Sequence, residues 1–403
     1  MGKKVTLAQV PIPLQKAACF QMLGFNDRLR RLGPFNVLVL LVLIGTAAHA
    51  QEQKEETAAA QEDEESGGSW LPLPVFITEP AIGEGLGLGL VYFHEPPDPN
   101  LARISTPSEL GKTGKRPNPP PTASGVFAFK TSNGTQGFGV GHSGSYLDDK
   151  VRVIGALASM QIKTTFYQND APFNFELDGE IAYLSFKRKV GSSRWFFGVS
   201  TSYLDGLVDF KLGGGPVPPD IFDFSLRDIG LAAIAAYDSR DDTMMPGNGQ
   251  LIDFTMWFHS ESFGGDFNYS SYRLKAHSFH PLGERFVLGI RGDVWTSAGK
   301  PPFYGLPYVS IRGIPALRYQ GETAGVFELE GRYNLSPRWA GVVFGGTGFA
   351  NSGGAGFSTD DDINAYGIGI RFQALKKQNV WLGVDIARGP EEDAWYVQMG
   401  HAW

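Results

Sequence analysis

The last eleven residues, Asp393–Trp403 (DAWYVQMGHAW), alternate in character. Trp395, Val397, Met399, His401 and Trp403 fall on one face, and Tyr396, Gln398, Gly400 and Ala402 on the other. A period of two over about ten residues predicts a strand. A final strand with no turn after it has to pair with an earlier one. In a closed antiparallel barrel that partner is the first strand, and closure leaves no open edge.

The same period recurs along the chain. Gly83–Leu90 places glycines on one face and leucines on the other, which predicts a first strand with a greasy outer face and few inner side chains. Gly85, Gly87 and Gly89 then mark a weakly packed seam against the strand that ends at Trp403. Strands follow at Gly125–Thr131, Gln136–Tyr146, Val151–Lys163, Phe173–Arg188, Arg194–Leu212, Arg227–Asp238, Leu251–Ser262, Asn268–His280 and Arg285–Ser297. Gly325–Leu335, Trp339–Ala350, Ile363–Ala374 and Val380–Arg388 complete the series before the last strand. With Arg194–Leu212 split in two around Asp205-Gly206, the total is sixteen, an even number as bacterial barrels require. Trp70–Pro80 reads as a proline-punctuated lead-in, Glu95–Thr122 as a long extracellular loop, and Lys300–Tyr319 as a second long loop. In Phe173–Arg188 the aromatic face is expected toward lipid, and Glu176, Asp178 and Glu180 toward a wet lumen.

The N-terminus changes the compartment. Arg28, Arg30 and Arg31 precede the apolar run Val37–Ile44, and Ala48-His49-Ala50 fits a cleavage site, so residues 1–50 read as an export signal that starts at Met1 or Met22. Residues 51–70 form an acidic linker, and 71–403 the barrel. The only cysteine, Cys19, lies in the signal, which leaves no disulfide or thiol chemistry. Removing a segment of net +5 from a chain of net -7 leaves about -12, so no basic footprint for nucleic acid exists. No later run reaches the roughly 20 apolar residues of a spanning helix, so a membrane location requires a barrel. High glycine (52) and aromatic content (13%) suit such a wall; a soluble β-sandwich is the alternative.

The second half resembles the barrel domain of the BamA/TamA outer-membrane family, the bacterial surface antigens. Asp238, Arg240, Asp241, Pro246 and Gly249 match the family's Asp-x-Arg-Asp turn in type and spacing. Ile311-Arg312-Gly313-Ile314 resembles its Val-Arg-Gly-aromatic loop, and Glu328-Leu329-Glu330-Gly331-Arg332 its Glu-x-Arg strand. The resemblance implies a periplasmic turn between strands eight and nine, a loop folded into the lumen, and a role in outer-membrane protein assembly or translocation. The periplasmic repeats of the family's assembly members are not recognisable, Gly346 stands where the family has the aspartate that holds the loop arginine, and His401 replaces the usual penultimate aromatic. Arg312 cannot shed its charge, so it is expected to pair with Glu328 or Glu330, with Arg332 on the same strand face.

Other clusters carry less. The Asp238–Asp242 cluster reads as a structural turn, with a divalent-cation site as the alternative. His277 and His280 point to opposite faces and cannot share a metal. Gly141-His142-Ser143 lies within a strand rather than on a nucleophile elbow. Arg273, Lys275 and His277 form a cationic stripe, expected to be balanced across the lumen by Glu176, Asp178 and Glu180. No enzyme chemistry, cofactor or metal is expected. The expected partners are outer-membrane lipids, with unfolded outer-membrane proteins or a periplasmic protein as candidates. A pore or structural barrel, and an anchor for a soluble partner through Gln51–Ser66, are the competing functions.

Overall fold

Prolines decide where the sheet begins. Pro72 and Pro74 lie two residues apart within a strand, Ser69–Ile77 (β1), that pairs along its length with Gly85–Phe93 (β2). A proline has no N–H to give a ladder, so a strand carrying two is confined to a sheet edge. A computed structural model of the chain describes residues 67–77, 82–95, 119–168, 171–211, 224–351, 363–391 and 393–403. The export signal, the acidic linker before Gly67, most of the Pro-rich loop and Gly213–Asp220 lie outside these residues.

The strands follow as β3 (Ala123–Thr131), β4 (Gln136–Tyr146), β5 (Val151–Gln168), β6 (Ala171–Lys189), β7 (Trp195–Lys211) and β8 (Phe224–Asp238). The second half continues with β9 (Gly249–His259), β10 (Tyr269–Leu282), β11 (Phe286–Gly299) and β12 (Thr323–Ser336). It ends with β13 (Trp339–Asn351), β14 (Ile363–Leu375), β15 (Val380–Arg388) and β16 (Asp393–Met399). All sixteen form one antiparallel sheet in sequence order. Among the described residues no helix is long and apolar enough to cross a membrane.

One face of this sheet is apolar and open. Leu86, Leu88, Phe138, Leu157, Val199, Leu231, Phe327 and Ile368 are all exposed, and cross-strand pairs such as Leu90–Val126, Val343–Ile368 and Ile368–Ile386 carry the belt from strand to strand. An exposed apolar surface of that extent is a lipid-facing wall.

Sixteen is the expected count, reached through two differences that offset each other. Ser69–Ile77 is a strand rather than a lead-in, and Trp195–Lys211 is one strand rather than two. Parity then moves every connection between them to the opposite end of the sheet. The chain leaves β2 at Phe93 and returns at Ala123 on the end where β1 begins and β16 finishes.

The faces of β6 are also the reverse of expectation. Phe175 and Leu177 are buried inside, with the Phe175 ring 4.4 Å from Phe303 of the β11–β12 loop. Glu176, Asp178 and Glu180 share the outer face with the exposed Leu184 and Phe186. A strand of 19 residues exceeds the roughly 9–11 a tilted strand needs to cross the bilayer, which leaves length beyond the lipid for polar residues on its outer face.

The final strand is shorter than its alternation suggested. It stops at Met399, and Gly400 adopts φ +81°, a left-handed conformation suited to glycine. The backbone N–H of Gly400 donates to Trp381 O, and that of His401 to Met244 O in the β8–β9 turn. Trp403 is therefore not on the seam. It lies inside, stacked on Phe279 at 5.6 Å and edge-on to His277 at 5.3 Å. Gly85, Gly87 and Gly89 are not on the seam either, because β2 is paired on both sides.

Candidate functional site

The β11–β12 loop folds inward because its own apolar residues have a core to fill. Val309, Ile311, Ile314 and Tyr319 bury themselves against Ala324 and Val326 of β12, Ala350 of β13, and Ile363 and Ala365 of β14. Gly313, at φ +95°, approaches so closely that an added Cβ would lie 3.1 Å from the Arg388 backbone, and its N–H donates to Tyr396 Oη at 2.9 Å. These contacts hold Arg312 among the inner faces of β11–β15.

Period-two geometry places charged residues on each of those faces. Arg312 Nε donates to Glu328 Oε1 at 3.0 Å, Nη2 to Glu330 Oε2 at 2.9 Å and Nη1 to Asp385 Oδ2 at 2.6 Å; Nη2 also binds Glu328. The guanidinium stacks on Phe344, 3.4 Å from the ring centroid. Arg371 grips Asp385 with both terminal nitrogens, and Arg291 joins Glu328 at 3.1 Å to Asp293 at 2.8 Å. Arg291, Arg312, Arg332 and Arg371 are matched by Asp293, Glu328, Glu330 and Asp385, all buried. Four guanidiniums against four carboxylates leave no net charge, the condition under which such a cluster survives burial. Burial alone would lower the pKa of Arg312, but Glu328, Glu330 and Asp385 outweigh it and hold the pKa above its ordinary value.

Both carboxylates named from the sequence meet Arg312. Arg332 does not take part in that grip; its Nη2 donates to Pro246 O at 2.6 Å and ties β12 to the β8–β9 turn. Asp385 and Arg371 were missed as site residues. Their strands were legible, and alternation puts each on an inner face. The acid at Gly346 has no room here: an added Cβ would collide with Phe327 O and lie 2.7 Å from Ile311 Cδ1.

The β8–β9 turn is held by its own carboxylates. Asp238 binds Arg240 Nε at 2.9 Å and Arg152 Nη1 at 2.7 Å. Asp241 accepts from Gly247 N, and Asp242 from Met244 N, Met245 N and Asn379. Every carboxylate is occupied by N–H donors, and among the described residues no acidic or histidine cluster suits a metal. Gly249 sits at φ +104° with Arg240 Cα 2.7 Å from where a Cβ would be, so no other residue fits there without strain. His142 bonds Ser124 Oγ at 2.8 Å and Tyr146 Oη at 2.5 Å on the lipid-facing side, rather than Ser143.

His401, against Phe279, has no partner on either ring nitrogen, and burial with Arg240 and other cations nearby pushes its pKa well below 6.5. A buried histidine that stays neutral favours the docked tail above the free imidazole pKa; that contribution is lost as pH falls from about 6.5 toward the depressed value. Acidification is therefore expected to release Gly400–Trp403, read as carboxypeptidase sensitivity that rises below pH about 6 in wild type and stays flat in His401→Phe.

A sixteen-strand antiparallel sheet with a lipid-facing belt and a charged, loop-filled interior defines an outer-membrane β-barrel. The Omp85 superfamily domain matches residues 222–306, from β8 to the start of the inward loop. The fold is similar to BamA from Haemophilus ducreyi lacking POTRA domains 1–3 (12% identity, 83% of this chain and 70% of that one, TM-score 0.54). It is also similar to CdiB from Acinetobacter baumannii (9%, 83% and 59%, TM-score 0.53) and CdiB from Escherichia coli (12%, 82% and 62%, TM-score 0.51). The chain thus spans about three-fifths of the CdiB chains. No curated protein matches it. The chain has the fold of an outer-membrane β-barrel, similar to the barrels of BamA and CdiB, with a match to the Omp85 superfamily domain over residues 222–306.

Proposed function

We propose that this barrel assembles or translocates outer-membrane proteins through a lateral seam between β1 and β16. The observation that carries the reading is the state of that seam. Cα atoms of β1 and β16 come within 8 Å of each other, yet among the described residues no paired ladder joins them, whereas every other neighbouring pair of strands is hydrogen-bonded. The sequence supplies the reason. The β1–β2 register is continuous from Ser69 to Ile77, so the edge deprived of donors by Pro72 and Pro74 is the one toward β16. At the end where the chain enters β1, β16 has already turned inward at Gly400. The β14–β15 turn bridges the gap, with Gln378 Nε2 donating to Ser69 Oγ at 2.9 Å and Lys377 Nζ to Gly67 O at 3.3 Å. An open strand edge in a membrane is a template for an incoming strand.

A photocrosslinking residue at Pro74, which faces outward, tests this in living cells. Crosslinks to other, unfolded barrel proteins are expected. Crosslinks to β16 of the same chain alone would mean a sealed barrel and leave the pore or structural reading. Pro72→Val with Pro74→Val restores two donors, each worth about 1 kcal/mol when paired. The double variant is expected to unfold at higher temperature in heat-modifiability gels and to lose most intermolecular crosslinks.

A further inference from the structure

The lipid-facing wall is not smooth. Cross-strand register places Val140 of β4, Gly155 and Leu157 of β5, Ala182 and Leu184 of β6 and Tyr203 of β7 together on its outer face. Gly155 and Ala182 carry almost no side chain, so they floor an apolar groove of about 440 Å3 between their larger neighbours. An added Cβ at Gly155 would meet only Leu184 Cδ1, at 3.8 Å. Two polar side chains on the border are already engaged, His142 by Ser124 and Tyr146, and Tyr203 by Asp205.

Toward the turns, the same face ends in aromatics and then in cations. Tyr146, Val151, Arg188 and Phe197 form one cross-strand row, and Trp195 stands nearer the β6–β7 turn. Exposed aromatics at strand ends mark the level where acyl chains meet head groups. Lys150 lies in the β4–β5 turn and Arg194 in the β6–β7 turn, and Lys189 N–H donates to Lys150 O at 2.8 Å. Lys150, Arg188 and Arg194 are exposed, and none makes a side-chain hydrogen bond or ion pair among the described residues. The acids nearby do not answer them. Asp149 is held by Arg152 at 2.7 Å and Lys189 at 3.4 Å, and Asp238 by Arg152 at 2.7 Å and Arg240 at 2.9 Å. Within these two turns that leaves Asp148, one exposed carboxylate against three cations.

A guanidinium on a lipid-facing wall is sustained only where it reaches head groups, which fixes the level of Arg188. Leu184, at the groove, lies about 13 Å from Arg188 along β6 at the usual rise of a strand. That is within the roughly 15 Å depth of one leaflet, half of a hydrocarbon core of about 30 Å. A lipid whose phosphate sits on Arg188 therefore lays an acyl chain past Phe186 and into the groove. Arginine suits a phosphate because its fork donates two parallel bonds. A zwitterionic head group brings its own cation and leaves the excess positive charge unmatched; an anionic one neutralises it.

We propose that this face binds one anionic glycerophospholipid, with its phosphate on Arg188, Lys150 and Arg194 and one acyl chain in the groove over Gly155 and Ala182. The site rests on the lipid-facing wall alone and does not depend on opening of the seam.

Native mass spectrometry of the purified protein, released from nanodiscs of mixed phosphatidylglycerol and phosphatidylethanolamine, tests it. One retained phosphatidylglycerol per chain is expected, in preference to phosphatidylethanolamine. Arg188→Gln with Lys150→Gln should lower that retention about tenfold, in line with loss of charge-assisted bonds. Gly155→Leu fills the groove without meeting backbone, so it should lower retention several-fold while keeping wild-type heat-modifiable migration. Arg285→Gln is the control, an exposed arginine in the β10–β11 turn at the same end of the sheet. Equal retention of the two lipids would overturn the proposal. So would a loss in Arg285→Gln as large as in the double variant, because attraction would then be diffuse charge. Unchanged retention in Gly155→Leu would overturn it as well, because the groove would then hold no chain.

Discussion

Arg312→Ala is expected to cost about 3–5 kcal/mol, the range for removing one partner from a buried ion pair. The variant leaves Glu328, Glu330 and Asp385 in place, of which Glu328 and Asp385 are fully buried. Three guanidiniums then face four carboxylates. Arg371 still holds Asp385, and Arg291 still holds Glu328, but the ion pair left to Glu330, with Arg371, is long at 3.9 Å, and Arg332 acts on it only through space. The loop also loses its stacking on Phe344. The barrel is expected to convert to its unfolded band at markedly lower temperature, and residues 300–322 to become open to protease in the folded form. Arg312→Lys keeps the charge but gives up the planar fork that reaches three acids at once, so an intermediate loss is expected. Wild-type stability and loop protection in Arg312→Ala would show that the apolar contacts of Val309, Ile311 and Ile314 suffice to hold the loop.

Gly346→Asp should destabilise the barrel, although it restores the acid that the related family places there. The added Cβ meets Phe327 O and Ile311 Cδ1, and overpacking of this kind costs about 1–3 kcal/mol. The carboxylate adds a further penalty, because the four arginines are already matched. Gly346→Ala carries the steric part alone, so it is expected to fall between wild type and Gly346→Asp in the heat-modification midpoint. A Gly346→Asp variant more stable than wild type would mean that Asp385 has not taken over the acid's place. Asp385 reaches Arg312 from β15, and Gln398 Nε2 steadies it at 3.1 Å.

How much of this was readable beforehand follows from what alternation encodes. A period of two marks strands wherever apolar and polar residues take turns, and that is local information: nearly every strand from β2 to β16 could be drawn from it. Alternation separates two faces without saying which is inside. In β6 both faces carry large side chains, and the Phe175 face lies inside, clustered with Val208 and Leu226 of the next strands and covered by Phe303 of the inward loop. β1 was passed over because its prolines are excluded from central strands, and nothing local announces an edge. Trp403 continued the alternation of Trp395, Val397 and Met399 until the left-handed turn at Gly400 redirected it into the lumen.

The site divides the same way. Arg312, Glu328 and Glu330 stand close together in the sequence and their pairing could be anticipated from charge and burial. Asp385 lies 73 residues from Arg312. By itself the sequence determined a wall of antiparallel strands with a cationic loop in need of carboxylates, because strand periodicity and the cost of a buried charge act locally. The tertiary structure decided which carboxylates answer, which faces look inward and where the sheet stays unzipped. Those depend on register summed around the barrel, and a single proline-bearing edge strand resets that register for the connections that follow.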